Sequence, residues 1–402
     1  MKKRKSSEPS RAMVKPEGES ICRSSSSSVV SSNEYLMVNI LSRLPVKALS
    51  RFKCVSKQWN TLISDPYFVK THQVRATQDP NIMKLLWVTH GGLIRVCSIE
   101  EKAKRNVTID SIRPNYPNGF LRKWKFINMV GRPCNGLICI EYLCHEDTRL
   151  ILVCNPATRD TVVIPNGKER VDNNLEGLGF CSSSNEFKLV RFYIIPEGFG
   201  FELFTIGQRE TRGTHSLQPS RSWRHVGDLP YKICDLEGRF MCHVNGKVHW
   251  IIFPLSDSSS EYILTLDLEL EEFKVVSYPE LLPKDARYDH EMNLMDLGGE
   301  LCLALPILDG SVWLELWVLK DYANSIWCKE YQINVNIPGY PLYDDLKIVG
   351  KWGRRLLLMI NNMTLCFYDP RNNSLELIIE KYLGSSLSYR VAPYVENLVL
   401  PF

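Results

Sequence analysis

Between residues 34 and 72 the apolar positions recur every three or four residues, and from residue 82 onward they alternate or gather in short unbroken runs. The first pattern is helical and the second belongs to strands. Leu36, Ile40, Leu41 and Leu44 form one helical stripe, closed by Pro45, which has no amide hydrogen and clashes with the preceding turn. A second helix is expected over 46–54, with Val46, Leu49 and Phe52 on one side. Ser56 can cap a third, carrying Trp59, Leu62 and Ile63. Asp65-Pro66 reads as a stop and a restart, with Asp as the cap and Pro at the first helical position. The segment therefore makes three to four short helices. A unit so small buries little surface, so it is expected to lean on a partner.

The strand-forming region repeats itself. A pair of strands joined by a polar turn occurs at 93–110, 150–165, 262–279, 314–333 and 365–380, and with a longer loop between 201–207 and 222–226. An apolar strand precedes each pair, at 85–90, 137–142, 187–195, 247–253, 300–307 and 355–361. Five of the six copies carry one more strand and a tight turn in front. The first copy lacks it, and residues 394–402 supply a spare. Repeats of this period point to a propeller of six four-stranded blades rather than a long two-sheet sandwich. The spare strand would complete the first blade and leave no sheet edge open. The expected fold class is α+β and multidomain: a small all-α unit, then an all-β propeller.

Composition narrows the function. The 402 residues are 44% hydrophobic and 23% charged, enough apolar material for a large core. No stretch approaches the length of a membrane span, and MKKRKSSEPS has no apolar segment behind its charges, so neither a membrane nor a secretory signal is expected. The whole net charge of +4 resides in residues 1–33, a Ser-rich stretch expected to be disordered. Its Lys2-Lys3-Arg4-Lys5 cluster reads either as an import signal or as a solvated tail, so the expected location is cytoplasmic and/or nuclear. The remaining chain is neutral, which argues against nucleic acid as principal partner. Thirteen cysteines with no C-x-x-C are expected to be free thiols in a reducing compartment. Cys134, Cys139, Cys144 and His145 lack a second ligand pair at finger spacing, so no metal is expected. Phosphate-loop, dinucleotide, zinc-protease and nucleophile-elbow motifs are all missing, so the chain is expected to be non-catalytic and to need no cofactor.

The stretch from Leu41 to Pro66, with Leu-Pro-Val-Lys at 44–47, Arg-Phe-Lys-Cys-Val-Ser-Lys at 51–57 and Ile-Ser-Asp-Pro at 63–66, closely resembles the F-box of plant F-box proteins. The Leu-Pro pair that usually opens that motif is replaced by Ser31-Ser32-Asn33-Glu34, where Asn33 is expected to cap the first helix instead. Cys134-Asn-Gly-Leu-Ile-Cys139, Asn155-Pro-Ala-Thr-Arg159, Val244-Asn-Gly-Lys-Val-His-Trp250 and Tyr394-Val-Glu-Asn-Leu398 resemble the kelch-like F-box-associated interaction domain. The implied organisation is a tail at 1–33, an F-box at 34–72, a linker at 73–81 and a propeller at 82–402, its ring closed by 394–402. The resemblance implies docking on a Skp adaptor, through it a cullin-RING ligase core, and capture of a protein for ubiquitination. Competing readings are an F-box scaffold without ligase activity and a propeller-fold enzyme.

Two sets of contact residues follow. Leu36, Ile40, Leu41, Leu44, Pro45, Val46, Leu49 and Val55 are expected to pack on the adaptor, and Trp59 is either an anchor there or part of the unit's own core. Lys47, Arg51, Lys53 and Lys57 read as a solvated helix face. In the propeller, short turns collect on one face and long loops on the other, and binding gathers on long loops over a rigid scaffold. Those loops carry Tyr116, Phe120, Arg122, Trp124, Arg170, Tyr231, Arg287, Tyr288, Tyr340 and Tyr343, the residue types that dominate hot spots. Trp124 and Tyr288 are the leading anchors. The 208–221 loop falls on the opposite face and could form a second contact.

Overall fold

The computed structural model describes residues 32–78, 82–89, 91–100, 107–115, 124–144, 149–167, 175–195, 198–206, 222–229, 241–252, 262–279, 292–308, 312–334, 346–360, 364–379 and 391–401. Four helices come first: α1 Ser32–Leu41, α2 Val46–Phe52, α3 Lys57–Ser64 and α4 Pro66–Gln78. Ser56 caps α3, accepting a hydrogen bond from the Trp59 amide at 3.1 Å. Asp65 caps α4 in the same way through the Tyr67 amide at 2.8 Å, with Pro66 as first helical residue. Two expectations need correcting. The first helix is already under way at Ser32, so Asn33 lies within its first turn and is not its cap. The span 73–81 is not a linker throughout, because α4 continues to Gln78 on residues that all accept helical geometry.

Six four-stranded antiparallel sheets follow, each a meander. Blade 1 holds Ile82–Val88, Ile94–Glu100 and Val107–Ile112. Blade 2 holds Trp124–Cys134, Leu137–Cys144, Arg149–Cys154 and Thr161–Ile164. Blade 3 holds Leu175–Cys181, Glu186–Ile195, Gly198–Ile206 and Arg224–Leu229. Blade 4 holds Cys242–Val244, Lys247–Ile252, Tyr262–Asp267 and Glu272–Ser277. Blade 5 holds Asn293–Asp296, Leu301–Leu308, Val312–Asp321 and Ile326–Asn334. Blade 6 holds Leu346–Trp352, Arg355–Ile360, Thr364–Asp369 and Ser374–Ile379.

The unbroken apolar runs explain the stacking. Along Arg355–Ile360, Leu356, Leu358 and Ile360 enter the cluster shared with blade 5, whereas Leu357 and Met359 enter the cluster shared with blade 1. Both faces of such a strand are buried, so each sheet must be covered twice. Six apolar clusters lie between successive blades, and one of them joins blade 6 to blade 1. The ring is closed.

Closure is made by a different segment from the one expected. The fourth strand of blade 1 is Ala392–Pro393, opposite Leu86 and Leu85, and the Tyr394 amide adds a hydrogen bond to the Lys84 carbonyl at 2.9 Å. Residues 394–401 are not strand. Ten of the cysteines among the described residues are free thiols, eight of them buried.

Buried polar groups tie neighbouring blades together. His249 of blade 4 is inaccessible, with Nδ1 2.9 Å from the Thr265 hydroxyl and Nε2 3.5 Å from the Tyr322 hydroxyl of blade 5. Burial, with smaller contributions from His243 and Lys247, lowers its pKa to about 3. An unfolded histidine titrates near 6.5. As pH falls from that value toward 3, the unfolded chain takes up a proton that the folded chain refuses, so stability is lost with acid. His72 and His243, also lowered by burial, act in the same direction. We expect His249 alone to cost about 2 kcal/mol between neutral pH and about pH 5. Urea midpoints measured across that range should fall less steeply for His249→Asn than for the wild type.

Candidate functional site

The first helix is apolar on two sides. Leu36 and Ile40 are one turn apart and share a face, and Val38 and Leu41 lie on the opposite one. The structure sorts them accordingly: Leu36 and Ile40 are 55% and 61% exposed, whereas Val38 and Leu41 are buried. The buried set joins Val46, Leu49, Ile63 and Phe68 in a single core, with Leu44, Phe52, Trp59 and Leu62 packed around it. Leu41, Val46 and Leu49 were expected on a partner surface. They instead fill the unit's own interior at 3%, 1% and 0% exposure, because a helical stripe read from sequence merges two ridges that point apart. Trp59 is half-buried and meets Phe52 edge-to-face with ring centroids 5.3 Å apart.

The outward apolar surface consists of Tyr35, Leu36, Ile40, Val55 and Tyr67, together with the exposed Pro45. Two side chains from α4 fix the turn that presents Pro45. Arg75 donates to the Asn39 carbonyl at 2.8 Å, to the Asn39 side chain at 3.0 Å and to the Ser42 hydroxyl. His72 Nε2 donates to the Leu44 carbonyl at 3.0 Å. Together they satisfy the Asn39 carbonyl in the last turn of α1 and the Leu44 carbonyl in the turn after it. Sequence reasoning missed both residues: His72 drew no role, and Arg75 lay in a presumed linker. Lys47, Arg51 and Lys57 are exposed as expected. Lys53 is half-buried, its pKa lowered by desolvation against a partial pull from Asp160 of the propeller.

The helical unit rests on the face of the propeller that carries the short turns. Leu398 completes the helical core, 1% exposed, and Ala157 from a turn of blade 2 packs beside it. Next to Leu398, the Asn397 side chain is wholly buried. It donates to the Asn135 carbonyl at 2.7 Å and accepts from the Val399 amide at 3.1 Å and from Asn155 Nδ2 at 3.2 Å. Asn155 Nδ2 also reaches the Asn397 carbonyl at 3.0 Å and the Val399 carbonyl at 2.8 Å, and its Oδ1 receives the Ala157 amide at 2.9 Å. Glu396 pairs with Lys84 of blade 1 at 2.7 Å. Three sequence motifs far apart in the chain, at 134–139, 155–159 and 394–398, thus converge on one buried amide.

Inside the ring, the inner strands and their turns line a half-open cavity of about 480 Å³, bordered in part by Arg132, Cys134, Cys242, His243, Asp296 and Lys351. Cys134 Sγ lies 3.7 Å from His243 Nδ1, the arrangement of a nucleophile and its base. Burial pushes the thiol up and the imidazole down, so both shifts work against charge on either group. Cys242 is likewise pushed up to about 12.

Trp124 begins the inner strand of blade 2 opposite Cys144, and the strand runs about 30 Å to Cys134 beside the helical unit. Tyr116, Phe120, Arg122, Arg170, Tyr231, Arg287, Tyr288, Tyr340, Tyr343 and the 208–221 loop lie outside the described residues.

Comparison with known proteins agrees with this two-part arrangement. Residues 33–71 match the F-box domain, and residues 85–385 match the F-box associated beta propeller domain. The F-box protein CPR1 of Arabidopsis thaliana is 27% identical over 384 residues, which span 90% of this chain and 87% of that one. The F-box protein At3g07870 of the same plant is 24% identical over 76% of this chain and 73% of its own length. Among solved structures, TolB from Acinetobacter baumannii aligns over 78% of this chain and 66% of its own at 9% identity, with a TM-score of 0.41.

The Asn397 contacts make one glycine testable. Gly136 has a φ of +78°, and a Cβ there would collide with the Asn397 amide. Gly353 has a φ of +58° and open space around it. Gly136→Ala should cost about 2 kcal/mol or more, through backbone strain plus the clash, and Gly353→Ala about 1 kcal/mol from strain alone. Urea denaturation of the two variants checks the difference.

Proposed function

Since the chain belongs to the F-box proteins that carry an F-box associated β-propeller, we propose that it is a substrate receptor of an SCF (Skp-cullin-F-box) ubiquitin ligase. The helical unit docks on the Skp adaptor, the adaptor links it to the cullin-RING core, and the propeller holds the protein to be ubiquitinated. The observation that carries the reading is the outward apolar ridge of a helical unit whose core is already filled, with Leu398 seated in it. Leu36, Ile40, Pro45 and Val55 face solvent next to a filled interior, and large apolar side chains gathered in this way mark an interaction surface. Leu44 lies partly exposed at its edge.

The propeller is the non-catalytic half of this division. Burial disfavours charge on its Cys134–His243 pair, and the strand of blade 2 that begins at Trp124 ends beside the helices at Cys134, so its two rims are available to different partners. A receptor of this kind acts by proximity: it brings substrate lysines to the ubiquitin-loaded enzyme and leaves the chemistry to that enzyme. The adaptor on one rim and the substrate on the other keep the two binding events from competing for surface.

The adaptor surface is tested by charge. Leu36→Asp with Ile40→Asp leaves the internal core untouched and should reduce capture of purified Skp adaptor at least about tenfold, at an unchanged melting midpoint. Full capture by this variant would sink the assignment. The substrate rim is tested in cells. Replacing Arg122, Trp124, Arg287 and Tyr288 together should lengthen the life of the bound protein while adaptor capture persists. If turnover stays normal and deletion of 208–221 slows it instead, the recognition face is the one beside the helices.

A further inference from the structure

We infer that residues 394–399 are a latch that sets the angle between the helical unit and the propeller, with Asn397 and Leu398 as positioning residues. The significance for ubiquitin transfer rests on the receptor reading above; the latch itself rests on geometry alone.

Two domains joined by a linker move against one another unless a substantial apolar contact holds them. Here α4 ends at Gln78 and blade 1 begins at Ile82, so one covalent connection of three residues joins the two units. The second connection is not covalent. Leu398 comes from the propeller side and is counted among the core residues of the helices, in contact with the cluster of Leu41, Val46, Leu49 and Phe68. At 1% exposure its whole side chain is withdrawn from water, which favours the seated arrangement. One residue earlier, Asn397 makes its hydrogen bonds to two turns of blade 2, and one residue later Val399 packs with the cluster between blades 2 and 3. Three consecutive side chains therefore bind blade, helix and blade in turn. Glu396 on Lys84 and the Tyr394 amide on the Lys84 carbonyl anchor the same segment to blade 1.

The polar part of this joint gives it a direction. An apolar contact alone permits sliding, whereas a buried amide that must satisfy donor and acceptor together accepts one orientation. Asn397 is inaccessible, and its partners are a carbonyl, an amide and a second buried asparagine. A receptor that presents lysines to a distant enzyme depends on such an angle, because reach and direction both decide which lysines are modified.

The test uses the full chain and its native exposed cysteines, Cys54 beside α2 and Cys328 on the outer strand of blade 5. With Cys22, Cys144 and Cys234 changed to Ser, both sites take nitroxide labels, and pulsed EPR reads the distance between them. The wild type should give one narrow distribution. Asn397→Ala, which leaves the helical core intact, should broaden it about twofold or more, as should Leu398→Ser, and Leu398→Met should restore it. A broad wild-type distribution, or an Asn397→Ala variant as narrow as wild type, would overturn the latch. In a reconstituted ligase with purified Skp adaptor, self-ubiquitination of Asn397→Ala should spread over more lysines, as mapped by mass spectrometry. An unchanged lysine pattern would also count against the latch. Failure of the wild type to capture the adaptor would count against the receptor reading instead, and the distance measurement would still decide the latch.

Discussion

A β-sheet whose two faces are both apolar cannot end in water, and every blade of this protein is such a sheet. Leu301, Leu303 and Leu305 enter one cluster while Cys302 and Ala304, between them in sequence, enter the next. Each blade therefore demands a neighbour on either side, and the demand is met only when the sixth meets the first. Closure brings residues 391–399 back to the start of blade 1, which is where the helices enter. The helical unit is seated on the short-turn face because the returning segment arrives there with Leu398 and Asn397 to receive it.

Much of this was legible in the sequence. Strands begin at residue 82 as expected, the repeat counts the blades correctly, Ser56 and Asp65 cap the helices they were expected to cap, and Pro66 takes the first helical position. The misreadings have one physical root: periodicity reports that a side chain is buried, not what buries it. Tyr-Val-Glu-Asn-Leu-Val-Leu reads as a strand because it is short and rich in β-branched, aromatic and other apolar residues. Its Leu398 is indeed buried and Val399 partly so, but Leu398 is covered by helices and Val399 by blades, so no sheet is needed. In α1 the same ambiguity merged Leu36 and Ile40, which face out, with Leu41, which faces in.

Polar residues were harder still. Nothing local marks His72 or Arg75 as clamps on a turn some thirty residues earlier in the chain. Nothing local shows that Asn155, in a sequence that reads simply as a turn, spends one amide hydrogen-bonding partner on its own turn and the rest on residues near 397. Such roles belong to tertiary structure. Their trace in the sequence was the resemblance of three separated motifs, and the fold supplies the reason those motifs occur together.

The two-residue strand Ala392–Pro393 also has a temporal meaning. Its partners, Leu85 and Leu86, leave the ribosome about 300 residues earlier. Throughout that interval the first blade has three strands, an unpaired edge and an uncovered apolar face, and the helices have a vacancy where Leu398 will sit. Loop-closure entropy grows only slowly with length, so the delay costs little free energy, but it leaves the nascent chain exposed for the whole of propeller synthesis. A message that stops short of codon 392 yields a product with both defects, the open edge and the empty socket, which are the features chaperones recognise.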